Sequence, residues 1–128
     1  MATCVTQGIK ISAVSTYQDL YSRPEMGNYY FSYRIRIENT SGETVQLMRR
    51  HWYIFDGTGE KSEVEGEGVV GQQPVLRPGE TYEYESACNL NSEFGSMHGL
   101  YTFVREKDDV AFNVEIPRFE LIVNYRLN

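Results

Sequence analysis

Tyr29-Tyr30-Phe31-Ser32-Tyr33-Arg34-Ile35-Arg36-Ile37-Glu38 is the stretch on which the fold turns. Tyr29, Phe31, Tyr33, Ile35 and Ile37 fall on one parity, and Tyr30, Ser32, Arg34, Arg36 and Glu38 on the other. A strict period of two predicts a strand with one face in a core and one in water. The following Asn39-Thr40-Ser41-Gly42 supplies side-chain turn bonds and a residue tolerant of positive φ, so the chain turns there.

Further along, Val45 to Asp56 predicts a second long strand. Val45 and Leu47 are odd and apolar, whereas Trp52 and Ile54 are even. One extra residue near Met48-Arg49-Arg50-His51 would change the parity, which predicts a β-bulge. Asp56-Gly57-Thr58-Gly59 reads as a tight turn. Lys61 to Glu67 alternates weakly, with Glu63, Glu65 and Glu67 on one side, the mark of a charged edge strand. Gly66 to Gly79 reads as a loop that tucks Val69, Val70, Val75 and Leu76 against the core, and Thr81 to Cys88 as another strand. Asn89 to His98 reads as a polar loop. Gly99–Arg105 and Val110–Ile116 flank Glu106-Lys107-Asp108-Asp109 as a hairpin, and Pro117 separates them from a last run through Phe119, Leu121, Val123 and Tyr125.

Toward the N-terminus, Gly8 to Ser15 carries an imperfect alternation, and Thr16 to Asn28 reads as a loop broken by Pro24 and Gly27. The sum is about seven or eight strands at roughly ten-residue spacing, an antiparallel sandwich or barrel. No helical stripe, internal repeat or linker is visible, so residues 1–128 are expected to form one domain.

Composition agrees. The 128 residues are 41% hydrophobic, with 10 Tyr and 6 Phe, which suits pleated, half-buried surfaces. The formal net charge of −6 argues against electrostatic binding to nucleic acid or an anionic membrane. The N-terminus shows no secretory pattern, and Cys4 and Cys88 form no CxxC pair, so reduced thiols and a cytoplasmic setting are expected.

Three clusters compete as sites. Gly66-Glu67-Gly68-Val69-Val70-Gly71 matches G-x-G-x-x-G. In dinucleotide folds such glycines let a helix N-terminus approach a pyrophosphate, but Gln72-Gln73-Pro74 and Arg77-Pro78-Gly79 leave no room for that helix. Gly66, Gly68 and Gly71 are therefore either turn residues or an amide nest for phosphate, with Arg50 or Arg77 as charge partner. Arg49, Arg50 and His51 beside Trp52 either grip an anion or pair with neighbouring carboxylates, and Arg34 and Arg36 would extend the patch if the strands lie close. Glu63, Glu65 and Glu67 are either a solvated edge or loose ligands for a divalent cation. No catalytic motif, such as G-x-S-x-G or H-E-x-x-H, is present, and no cofactor is implied.

Tyr33-Arg34-Ile35-Arg36-Ile37-Glu38-Asn39, Val45-Gln46-Leu47, Arg50-His51-Trp52 and Val64-Glu65-Gly66-Glu67-Gly68-Val69-Val70-Gly71-Gln72-Gln73-Pro74 together resemble the ApaG family. So do Pro78-Gly79, Gly95-Ser96-Met97-His98-Gly99, Tyr101-Thr102-Phe103 and Phe112 to Phe119. The chain looks like the bacterial single-domain form. The resemblance implies an immunoglobulin/fibronectin type III-like antiparallel β-sandwich, with the strands around Asn39–Gly42 in opposite sheets. It further implies an association with cobalt resistance and magnesium efflux, a role as a protein-interaction module, and a glycine motif that has been suggested to bind pyrophosphate. The leading expectation is a non-enzymatic module that binds a protein through the Arg49–His51 bulge and the Gly66–Gly79 loop. A phosphate-containing ligand and a divalent cation are the alternatives. An exposed edge strand leaves both monomer and homodimer open.

Overall fold

In a computed structural model of the chain, which describes residues 1–126, the alternation from Tyr29 holds: Phe31, Tyr33, Ile35 and Ile37 are all buried. They lie on β3 (Tyr29–Asn39), one of nine strands among the described residues. The others are β1 (Ala2–Thr6), β2 (Ile9–Tyr17), β4 (Val45–Asp56), β5 (Lys61–Glu67), β6 (Val75–Leu76), β7 (Thr81–Leu90), β8 (Phe94–Arg105) and β9 (Ala111–Ile122). Every pairing is antiparallel. One sheet has the order β1-β2-β3-β7, and the other β5-β4-β8-β9 with the two-residue β6 also beside β4. Two antiparallel sheets face each other as a sandwich. Among the described residues no helix is long and apolar enough to cross a membrane.

The chain changes sheets between β3 and β4, as expected. Asn39, 1% exposed, holds the corner. Its Nδ2 donates to the carbonyls of Glu43 (2.7 Å) and Leu76 (2.9 Å), and its Oδ1 accepts from Ser41 N (3.0 Å) and Oγ (2.6 Å). Full satisfaction is what lets so polar a side chain stay inside.

Three readings change, and one strand is added. Asn89–His98 is not a loop: β7 continues to Leu90, β8 starts at Phe94, and Ser96 and Met97 are buried. Serine and glycine on a buried strand hide the alternation that marks the rest. Pro117 does not end a strand, because β9 runs straight through it. Ile116 lies opposite Gly99 and Phe119 opposite Met97, so Pro117 and Arg118 together face one residue in a bulge. β9 is an edge strand, and a proline at an edge bulge tolerates its missing N–H. The extra residue also keeps Ile116 and Phe119 both inward. Residues 2–6, which carry no clear alternation, form β1. Finally, Val69 and Leu76 are buried but Val70 and Val75 are exposed, because the chain turns sharply between Val69 and Gln72.

The two sides of the sandwich differ. On one, β1 and β2 are laced to β9: Ser15 Oγ donates to Glu120 O (2.6 Å), and Glu115 N donates to Thr6 Oγ1 (3.2 Å). On the other, the edges are β7 of one sheet and β5 of the other, and no hydrogen bond joins them among the described residues. Val64 of β5 is opposite Trp52 and shares its inward side, yet Val64 is 44% exposed while Trp52 is 3% exposed. The inner side of β5 is therefore open to solvent at Val64.

Candidate functional site

The expected bulge in β4 lies between Leu47 and Arg49. It reverses the parity, so Arg50 joins Trp52 on the inner side while Arg49 and His51 face out. Residues that look like one cationic cluster in sequence thus belong to two faces of a sheet.

On the inner side, Arg50 lies across β5 at the open edge. Its Nη1 donates to the carbonyls of Glu67 and Gly68, each at 2.9 Å. Gly66 makes room: a Cβ there would stand 3.1 Å from the guanidinium nitrogens. Arg50 borders a cavity of about 300 Å³ together with Tyr33, Trp52, Tyr84, Ser86 and the turn at Val69–Gly71. Tyr84 shares a short hydrogen bond with the Tyr101 hydroxyl. Burial pushes the phenols of Tyr33, Tyr84 and Tyr101 upward, with hydrogen bonds and the nearby Arg50 charge opposing it at Tyr33 and Tyr84. All three stay neutral near pH 7. Cys88, deeper along β7, is pushed by burial to about 11 and is a protonated thiol. Both cysteines are free, as expected.

Arg50 has no carboxylate partner among the described residues, although Arg34, Arg36, Arg105 and Arg118 each have one. A half-buried cation without a counter-ion, in a chain of net charge −6, is the most distinctive electrostatic feature of this edge. Glu67 also lines this cavity and its carbonyl accepts from Arg50, but its strand position is paired with outward-facing Arg49, and no ion pair joins its carboxylate to Arg50 among the described residues.

The glycine motif builds the wall of this cavity. Gly68 N donates to Met48 O (2.9 Å), while Val69 N and Gln72 N exchange bonds with Gln72 O (2.8 Å) and Val69 O (2.9 Å). Val70 and Gly71, both at positive φ (48° and 75°), form the two-residue turn between them. Gly68 is needed for a different reason: a Cβ there would meet Gln72 O at 2.3 Å. The amide of Gly68 is thus spent on β4 and those of Val69 and Gln72 within the turn, no helix follows, and the carbonyls of Glu67 and Gly68 point at Arg50. Arg77 lies elsewhere, exposed, with its backbone N–H on Glu80 Oε1 (2.8 Å) before β7.

On the outer side, His51 Nε2 is 2.7 Å from Glu63 Oε1, and Nδ1 is 3.3 Å from Glu65 Oε2. The His51 ring stacks on Tyr53 (centroids 4.5 Å apart), and Tyr53 on His98 (5.2 Å). A cavity of about 550 Å³ opens beside Tyr53, His98, Lys61 and Arg118. Glu63 and Glu65 are therefore drawn to His51, while Glu67 holds the register position opposite Arg49. Among the described residues no group of three or more His, Cys, Asp or Glu is arranged to hold a metal ion. Arg34 and Arg36 belong to the other sheet, where Arg34 meets Glu85 at 3.2 Å, so they do not extend this patch.

The sequence reading missed Tyr33, Tyr84 and Ser86 as site residues. The available signal was chemical: tyrosine hydroxyls at inward positions require partners, and such partners gather where the core meets an opening.

Comparison with known proteins adds to this picture. The ApaG domain family matches residues 19–105. Protein ApaG of Anaeromyxobacter dehalogenans (strain 2CP-C) is 47% identical over 128 residues, 100% of both chains. Protein ApaG of Bdellovibrio bacteriovorus is 48% identical over 119 residues, 93% of both chains. Among solved structures, that of an ApaA protein from Bordetella pertussis superposes with a TM-score of 0.88 at 42% identity, covering 91% of this chain and 94% of that one.

Proposed function

The chain belongs to the ApaG domain family, and from that premise we propose that it is a non-enzymatic module that binds a protein at the open side of its sandwich. The observation that carries the reading is Arg50, pinned by the Glu67 and Gly68 carbonyls among Tyr33, Trp52 and Tyr84. A guanidinium held in place among aromatic rings loses little entropy on binding, and Arg, Tyr and Trp are the residues on which binding energy concentrates. The groups around it suit recognition better than chemistry: the phenols and the Cys88 thiol are protonated at neutral pH and offer no ready base or nucleophile. In this reading the chain works in the cytoplasm and reaches divalent-cation homeostasis through its partner.

Immobilised wild-type chain, Arg50→Ala and Arg118→Ala test this against cell extract. A partner retained in stoichiometric amount by wild type and Arg118→Ala, and reduced at least about tenfold by Arg50→Ala, is the expected result. Equal retention by Arg50→Ala overturns the reading. Circular dichroism checks that the variants are folded; removing Arg50 frees two carbonyls next to solvent rather than in the core.

A further inference from the structure

One sheet is a strand short on its open side. Tyr84 and Ser86 of β7 share a cavity with Arg50 and Trp52 of β4, so β7 lies over β4. The next strand out in the other sheet is β5, and among the described residues no strand lies over it: only the Arg50 side chain crosses its inner side, and Val64 is 44% exposed there. β7 also presents a 10-residue edge, Thr81–Leu90, paired on one side with β3 alone. A free edge of that length is a template for another strand.

We propose that a foreign extended acidic segment adds beside β7, completes the sheet over β5, and seats one carboxylate on Arg50. This rests on the protein-binding reading above and names the partner's chemistry. A strand in that position would turn alternate side chains toward Val64, Gly66 and Arg50. Arg50 spends Nη1 on the two carbonyls and keeps Nε–H and Nη2 donors, a fork that fits a carboxylate. No carboxylate of the described chain occupies it.

A second copy of this chain does not fit. Antiparallel pairing of two β7 strands would turn Tyr82, Tyr84 and Ser86 inward and offer Arg50 no acid. It would also crowd Glu83 and Glu85 of both copies onto one outer face, where like charges repel. The partner is therefore a different chain with an Asp or Glu flanked by apolar residues at alternate positions.

The probe is an end-blocked peptide of alternating threonine and valine with one central glutamate, titrated to millimolar concentration into labelled protein and followed by NMR. Shifts along Thr81–Leu90 and at the Arg50 Nε–H are expected. A glutamine peptide should bind at least about tenfold more weakly, and Arg50→Ala should erase the preference. Absent β7 shifts, or equal binding of the two peptides, overturns strand addition. If Arg50→Ala still loses the captured partner, the broader binding-module reading survives that result; if capture is unchanged, both fall.

Discussion

Trp52→Ala is expected to cost about 4 kcal/mol, close to the whole stability of many small domains. Trp52 is 3% exposed, and its ring meets Tyr33 of one sheet (5.4 Å between centroids) and Tyr101 (6.4 Å) and Phe119 (5.9 Å) of the other. With the Tyr33–Phe119 contact (5.7 Å), it interlocks the aromatic rings of both layers. Removing it leaves a void that stiff paired strands cannot collapse, so the loss of transfer energy is joined by a cavity penalty. Urea unfolding followed by tyrosine fluorescence gives the number. A cost under about 1 kcal/mol would mean that the sheets are held together elsewhere.

Asp56→Ala is expected to cost about 3 kcal/mol at pH 7. Asp56 ends β4 and is 7% exposed. Its carboxylate accepts from Ser92 Oγ (2.6 Å), Asn91 N (2.7 Å) and Thr58 N (3.1 Å), which ties the turn after β4 to the turn between β7 and β8. Burial opposes ionisation there, but these bonds outweigh it and hold the carboxyl below the usual aspartate range. With the folded pKa below the unfolded value of about 3.9, the contribution is complete above roughly pH 5 and falls away as acid protonates the folded group. The gap between wild type and Asp56→Ala should therefore be constant near neutrality and narrow below about pH 4. A gap that stays constant down to about pH 2, in urea titrations at several pH values, would contradict this account.

The parts of the fold visible in sequence are those where local pattern and tertiary packing agree. β3 alternates without fault because both its neighbours and its facing sheet are fully formed. The β4 bulge shows in the shift of bulky residues from Val45 and Leu47 to Trp52 and Ile54, and that parity also carries the direction of Arg50. β8 begins earlier than its pattern suggests because Gly95 and Ser96 are buried without being apolar. Pro117 sits inside β9 because an edge bulge accepts it. The Arg50 cavity depends on β7 lying over β4, a non-local arrangement that no spacing encodes. The glycine motif shows the same division: its turn character is legible from the prolines that follow, whereas the Gly66 contact with Arg50 requires the cross-strand register.

Hydrogen exchange on the purified complex between this chain and its captured partner tests the central claim most directly. Protection is predicted at Gly66–Gly71 and along Thr81–Leu90, on both lips of the open side. Protection confined to the outer face around Tyr53, His98 and Arg118, with both lips exchanging as in the free chain, would contradict it.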